Sequence, residues 1–178
     1  MTRTRPDVRA FFQRYERAAQ DLDSEALTSL FCDVFMTLDA STAAAVSPQA
    51  LLAALPRRKQ LFEAIGSDGL ELADISEMPL DDLHTLVRTS WNLRMRSEPP
   101  RDPICLRSTF ILRKDDQAWR IVFYLNHQDM NKLFTELAPS GPRRRSVPGS
   151  TTRSRSFYAV SPVSREHTGL VPFGARRC

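Results

Sequence analysis

No stretch of this chain reaches the run of about 18 apolar residues that a membrane-spanning helix needs, and its opening, MTRTRPDVR, lacks the apolar core of a secretory signal. Both absences point to a soluble chain of the cytoplasm. Cysteine is scarce and scattered. Cys32, Cys105 and Cys178 form an odd set with no CxxC spacing and no adjoining histidine, which argues against a disulfide framework and against a zinc site. Cys32 and Cys105 read instead as plain buried thiols. Acids are almost missing from residues 139–178, where Glu166 stands against eight arginines, so residues 1–138 carry −3 of a whole-chain balance of +4. The basic character therefore belongs to the end of the chain, and the rest gives no reason to expect a nucleic-acid surface.

What is present divides in the same place. Residues 1–138 carry the apolar residues of one α+β domain. Residues 139–178, rich in Pro, Ser, Gly and Arg with few large apolar side chains, bury too little surface to offset the entropy of ordering and are expected to be disordered. Their Arg143-Arg144-Arg145-Ser146 and Arg153-Ser154-Arg155-Ser156 runs resemble phosphorylation or nucleic-acid segments, but the composition favours an inert, solvated extension.

Within residues 1–138, Val8, Phe11, Phe12, Tyr15, Ala18, Ala19 and Leu22 recur at helical spacing. That spacing predicts an amphipathic helix from Pro6 to about Gln20 with proline in its first turn. Asp23 or Ser24 suits the cap of a short second helix, after which Phe31 to Asp39 turns strand-like, with Phe35, Thr37 and Asp39 on one face. Ser47 before Pro48 starts the longest helix, to about Ile65. Pro56 is expected to kink or split it, and Gly66 with Gly69 to end it.

Four strand patterns follow: Leu70–Glu77, His84–Arg96, Ile104–Arg113 and Trp119–His127. Turns are expected at Pro79-Leu80-Asp81-Asp82, Pro99-Pro100 and Lys114-Asp115-Asp116-Gln117, and a short helix at about Gln128–Leu137. Helices first and a strand meander last argue for α+β with antiparallel pairing rather than a parallel α/β fold.

That order, helix, short helix, strand, helix, then meander, resembles the nuclear transport factor 2-like (NTF2-like, SnoaL-like) superfamily over roughly residues 6–130. The resemblance implies a cone of curved antiparallel sheet wrapped around the N-terminal helices, with an apolar pocket inside and a homodimer formed through the outer face. More closely, Gln13-Arg14-Tyr15, Leu30-Phe31 and Asp39 fall without a gap on the matching stretch of bacterial ketosteroid isomerases. The resemblance then makes Asp39 the base that moves an α-proton and Tyr15 the donor to the developing enolate oxygen. The family's second oxyanion acid falls on Ser108, a weaker donor, and there this chain departs from the pattern.

Each residue has a second reading. Tyr15, on an apolar helix face, suits a core position with a satisfied hydroxyl. Asp39, before Ser41-Thr42, suits a turn. His84 and His127, at opposite ends of strand patterns, are open between pocket, solvent and each other. Phe11, Phe35, Trp91, Phe110, Trp119 and Phe123 supply the bulk for lining an apolar pocket, with Ser108, Phe110 and Leu112 inward and Arg88, Asn92 and Arg107 outward. Two classes of function stay open: a small isomerase, cyclase or hydratase acting on a hydrophobic carbonyl compound, or a non-catalytic module that binds a small hydrophobic ligand or dimerises. Neither needs a cofactor or a metal.

Overall fold

A computed structural model of the chain describes residues 4–21, 23–97, 102–116 and 118–137. Leu22, Cys178, the expected Pro99-Pro100 turn, Gln117 at the end of the last expected turn, and the Arg/Ser/Pro-rich segment from 139 onward lie outside the described residues.

The first helix, α1 (Pro6–Asp21), buries Val8, Phe11, Phe12, Tyr15 and Ala18 along one stripe, the face that the 3.6-residue repeat requires. Its start is tied down by Asp7, whose Oδ1 accepts the Val8 N–H at 2.9 Å while Oδ2 accepts the Trp119 indole N–H at 2.9 Å. The second helix, α2 (Ser24–Ser29), is capped by Asp23, which accepts the Ala26 N–H at 2.9 Å.

Strand β1 (Phe31–Leu38) then turns back into a short strand, β2 (Ala43–Val46), that its alanine-rich sequence does not announce. The pairing itself makes it a strand: the Asp39 N–H donates to the Thr42 carbonyl at 2.9 Å and closes the hairpin.

Helix α3 (Pro48–Ala64) opens on Ser47, which accepts the Ala50 N–H at 3.3 Å. It runs through Pro56 as one helix rather than splitting there, with Leu51 and Leu55 buried on its inner side and Pro56 exposed. Gly66 ends it at φ +75°, a backbone region that glycine enters without a Cβ penalty. Gly69 has a different place from the one expected, inside the next strand beside a bulge.

The meander is β3 (Ser67–Pro79), β4 (His84–Met95), β5 (Ile104–Asp115) and β6 (Ala118–Asn126), followed by helix α4 (Met130–Leu137). The six strands form one curved, unclosed sheet in the order β2-β1-β6-β5-β4-β3. Every pairing is antiparallel except β1 with β6, so the sheet is mixed and not wholly antiparallel. The whole meander serves as the long connection that a parallel pair requires. Bulges in β3, and shifts of register between β1 and β6 and between β5 and β6, supply the bending that curls the sheet.

Helix α1 lies in the hollow of this sheet and covers its β3 edge. The Thr4 hydroxyl donates to the Ile75 carbonyl at 3.0 Å, Gln20 Nε2 to the Leu70 carbonyl at 2.8 Å, and the Leu72 N–H to Glu16 Oε1 at 2.8 Å. Arg5 adds an ion pair to Glu77 at 2.9 Å. Backbone groups that an edge strand would leave open are thereby satisfied by side chains of α1 and its lead-in. The cysteines correct an expectation: Cys105 is exposed and Cys32 only half-buried, because strand alternation turns Leu106 and Ser108 inward and Cys105 outward.

Candidate functional site

Between α1, α3, α4 and the inner face of the sheet lies a cavity of about 460 Å³, within the usual size range of small-molecule sites. Strand alternation and register decide what it sees. On β4, β5 and β6 the inward residues include Trp91, Leu106, Ser108, Phe110, Tyr124 and Asn126, and the pairings set Trp91 beside Leu106, Ser108 beside Asn126 and Phe110 beside Tyr124. Each pair places its side chains about 5 Å apart on one face. The Phe110 and Tyr124 rings stack at 4.9 Å between centroids. The Trp91 indole N–H donates to the Thr89 hydroxyl at 2.8 Å, so the cavity receives the ring and not an unsatisfied donor.

Tyr15 enters from α1, only 8% exposed, with its ring 5.8 Å from both Trp91 and Phe110. Burial pushes its phenol up to about 12; the neighbouring Tyr124 adds to that, while the charge and hydrogen bond of Arg58 pull the other way. The Tyr15 phenol therefore keeps its proton at any ordinary pH. Arg58 comes from α3 and lines the same cavity, with its guanidinium 5.6 Å from the centre of the Phe62 ring.

The carboxylates of the lining are engaged. Glu16 accepts the Leu72 N–H at 2.8 Å, Glu63 faces Lys59 at 3.8 Å, and Asp68 pairs with Arg96 at 3.2 Å. Asn126 Oδ1 accepts the Gln128 N–H at 3.3 Å.

Of the residues singled out from the sequence, the structure brings Tyr15, Trp91, Ser108 and Phe110 to this cavity. Asp39 is not among the lining residues: it sits at the β1–β2 turn, where its Oδ1 accepts the Ser41 N–H at 2.7 Å and the Ser41 hydroxyl at 2.9 Å. Phe11 and Phe35 are wholly or almost wholly buried in the core, and Trp119 is buried against the start of α1 through Asp7. Phe123 lies on the opposite face, opposite Ile111 and Met36, because the extra residue Val122 in β6 reverses the alternation that begins at Trp119 and Ile121.

The histidines also stand apart. His84 Nδ1 bonds Asp81 at the β3–β4 turn at 2.9 Å, and His127 Nε2 meets the Thr109 hydroxyl at 2.8 Å. Arg88, Arg107 and His127 border a second hollow of about 370 Å³ on the outer face. The residues that the sequence did not announce are Arg58, hidden in an Arg-Arg-Lys run that reads as a solvated helix face, and Tyr124 and Asn126, masked by the bulge.

Among the described residues no group of three or more His, Cys, Asp or Glu side chains is placed to hold a metal, and no helix is long and apolar enough to cross a membrane. No protein-family profile and no curated protein sequence matches the chain. Solved structures do. An NTF-2 like protein of unknown function from Shewanella oneidensis shares 18% identity over 68% of this chain and 97% of its own, with a TM-score of 0.55. An NTF2-like protein with a cystatin-like fold from Novosphingobium aromaticivorans shares 17% over 75% and 87%, at 0.56. Aln2 from a Streptomyces species shares 13% over 75% and 99%, at 0.58. Identities this low establish the fold and leave the activity to the chemistry of the cavity.

Proposed function

We propose that this chain, which has the NTF2-like fold, is a binding protein for a small, largely aromatic or alicyclic molecule held in the cone between α1, α3, α4 and the sheet. One observation carries the reading: a cavity of about 460 Å³ whose wall includes the aromatic and apolar group Tyr15, Trp91, Leu106, Phe110 and Tyr124 beside polar and charged side chains such as Ser108, Asn126 and Arg58. Aromatic bulk beside polar groups that can orient a ligand suits a small-molecule site.

Proton transfer by Asp39 is the second reading, and the geometry favours it less. A general base has to come within hydrogen-bond reach of the proton it takes. Asp39 is engaged by Ser41 and lies outside the lining.

The test is a thermal-shift screen of bicyclic aromatic and alicyclic probes against the parent chain and against Ser108→Phe, which sets a ring into the cavity beside Phe110 and Asn126. We expect probes that raise the parent's melting temperature and fail to raise that of S108F. Equal shifts in both chains would overturn the reading, and turnover of a probe that Asp39→Asn abolishes would restore Asp39 as a base.

A further inference from the structure

The outer face of the sheet carries the second hollow, of about 370 Å³, which the binding reading leaves unused. We infer that it takes the phosphate group of a small ligand, held by Arg88 and Arg107 with help from Ser76, Ser90 and His127. The inner cavity and its occupant have no part in it.

Register builds the site. Strand β4 sets Arg88 opposite Ser76 of β3 and Thr109 of β5, and sets Ser90 opposite Asp74 of β3 and Arg107 of β5. Arg88 and Arg107 therefore stand diagonally across adjacent strands, about 7–8 Å apart, within reach of one ligand for side chains of that length. Each has a serine directly across from it, Ser76 for Arg88 and Ser90 for Arg107. His127 closes a further side just beyond β6. Its backbone N–H donates to the Arg107 carbonyl at 3.1 Å and its Nε2 meets the Thr109 hydroxyl at 2.8 Å, so Nδ1 is the ring nitrogen left for a ligand.

Charge makes the ligand an anion. Both arginines are exposed, and among the described residues neither guanidinium has an ion pair or a hydrogen bond. That sets them apart from Arg94, Arg96 and Arg113, which face Glu71, Asp68 and Asp115 at 3.1 to 3.7 Å. Asp74 is the one carboxylate bordering the hollow, and it pairs with neither arginine; it stands on β3, separated from Arg107 by β4. Like charges on neighbouring strands repel, and an anion between Arg88 and Arg107 relieves that repulsion.

The donor set selects phosphate among anions. Guanidiniums, hydroxyls and an imidazole border the hollow from four strands or strand ends, whereas a carboxylate presents its two oxygens in one plane. A phosphate group presents three terminal oxygens in a tetrahedral arrangement and about −1.5 to −2 of charge, and an arginine fork meets two of those oxygens at once. The hollow is roomier than a bare ion requires. Leu86 and Ile111, paired on the same face one step beyond Arg88, give the body of a small phosphate ester an apolar edge.

The experiment titrates the full chain with inorganic phosphate and, separately, with phenyl phosphate, at an ionic strength held constant with sodium chloride, and follows ¹⁵N–¹H correlation spectra. Saturable movement of the backbone signals of Arg88, Arg107 and His127 is expected. Arg88→Gln and Arg107→Gln are each expected to weaken binding by about tenfold, the scale of a charge-assisted hydrogen bond. Arg113→Gln, which removes an exposed arginine from the same face of β5, is expected to leave the affinity unchanged. Tighter binding of phenyl phosphate identifies the ligand as an ester, and equal binding identifies it as free phosphate; both sustain the inference.

Absence of saturable movement with either probe overturns it, as does unchanged affinity in R88Q or in R107Q. A loss in R113Q as large as in those two variants would show a diffuse surface charge rather than a site, and overturns it as well. Should a glutamine variant lose its dispersed spectrum, lysine takes its place at that position, where a severalfold loss sustains the inference and an unchanged affinity overturns it.

Discussion

Tyr15 is enclosed by the rings of Phe12, Phe31, Trp91 and Phe110, with centroids 5.8 to 6.3 Å away. Ionising a phenol in such surroundings is costly, which is why its pKa stands at about 12 rather than 10.0. The sign of the consequence follows from linkage. With a folded-state pKa above the unfolded one, Tyr15 holds its stabilising contribution in full below pH 10 and loses it as the pH climbs towards 12. The loss runs at about 1.4 kcal/mol per pH unit for one proton. Urea unfolding at stepped alkaline pH is therefore expected to show a steeper decline for the parent than for Tyr15→Phe; parallel declines would show that the phenol is not buried as described.

Asp39 gives the opposite kind of prediction. Its Oδ1 holds Ser41 through two hydrogen bonds, at 2.7 and 2.9 Å, so Asp39→Ala is expected to cost about 1 kcal/mol of stability with no change in probe affinity. A large loss of affinity without loss of stability would place Asp39 back in the site.

At the scale of elements, α3 is where physical rules pull hardest against each other. A proline in a helix interior is about 3 kcal/mol less favourable than alanine, through its missing N–H and the clash of its ring with the preceding turn. Pro56 nonetheless lies within a continuous helix, carried by the burial of Leu51 and Leu55. Pro56→Ala is expected to raise stability by about 1–3 kcal/mol, read by chemical denaturation. At the helix end, Gly66 adopts φ +75° with open space around its missing Cβ, so Gly66→Ala is expected to cost about 1 kcal/mol from backbone conformation alone.

Much of this level was legible in the sequence. The stripe of α1, the Asp23 and Ser47 caps and the four long strands follow from periodicity and local capping chemistry. Two features were not. The β2 strand is alanine-rich and exists because β1 pairs with it. The bulge at Val122 exchanges Phe123 for Tyr124 on the inner face, and nothing local in Ile121-Val122-Phe123 marks it. A period-2 count fails after any such insertion, since one residue flips every later side chain.

For the molecule as a whole, the cavity is a property of tertiary assembly. Tyr15, Arg58, Trp91, Ser108 and Asn126 come from α1, α3, β4, β5 and β6, and each reads locally as a core residue, a surface charge or a strand residue. Strand alternation put Ser108 and Phe110 inward correctly, because no bulge intervenes within β5 itself. Arg58 was illegible, because only the placement of α3 over the sheet distinguishes it from the charges beside it. The whole-chain charge was equally uninformative, since its balance of +4 arises in residues 139–178, while residues 1–138, which build the cavity, sum to −3.

The central claim is that this cone holds a small aromatic or alicyclic molecule against Trp91. The chain's two tryptophans make a built-in comparison: Trp91 lines the cavity, whereas Trp119, buried elsewhere, bonds Asp7. The most direct test follows their indole N–H signals in ¹⁵N–¹H correlation spectra during titration with a bicyclic probe that raises the parent's melting temperature. A saturable shift of the Trp91 signal, with the Trp119 signal stationary, is the predicted result. Movement of Trp119 alone, or of neither under saturating probe, would contradict the account.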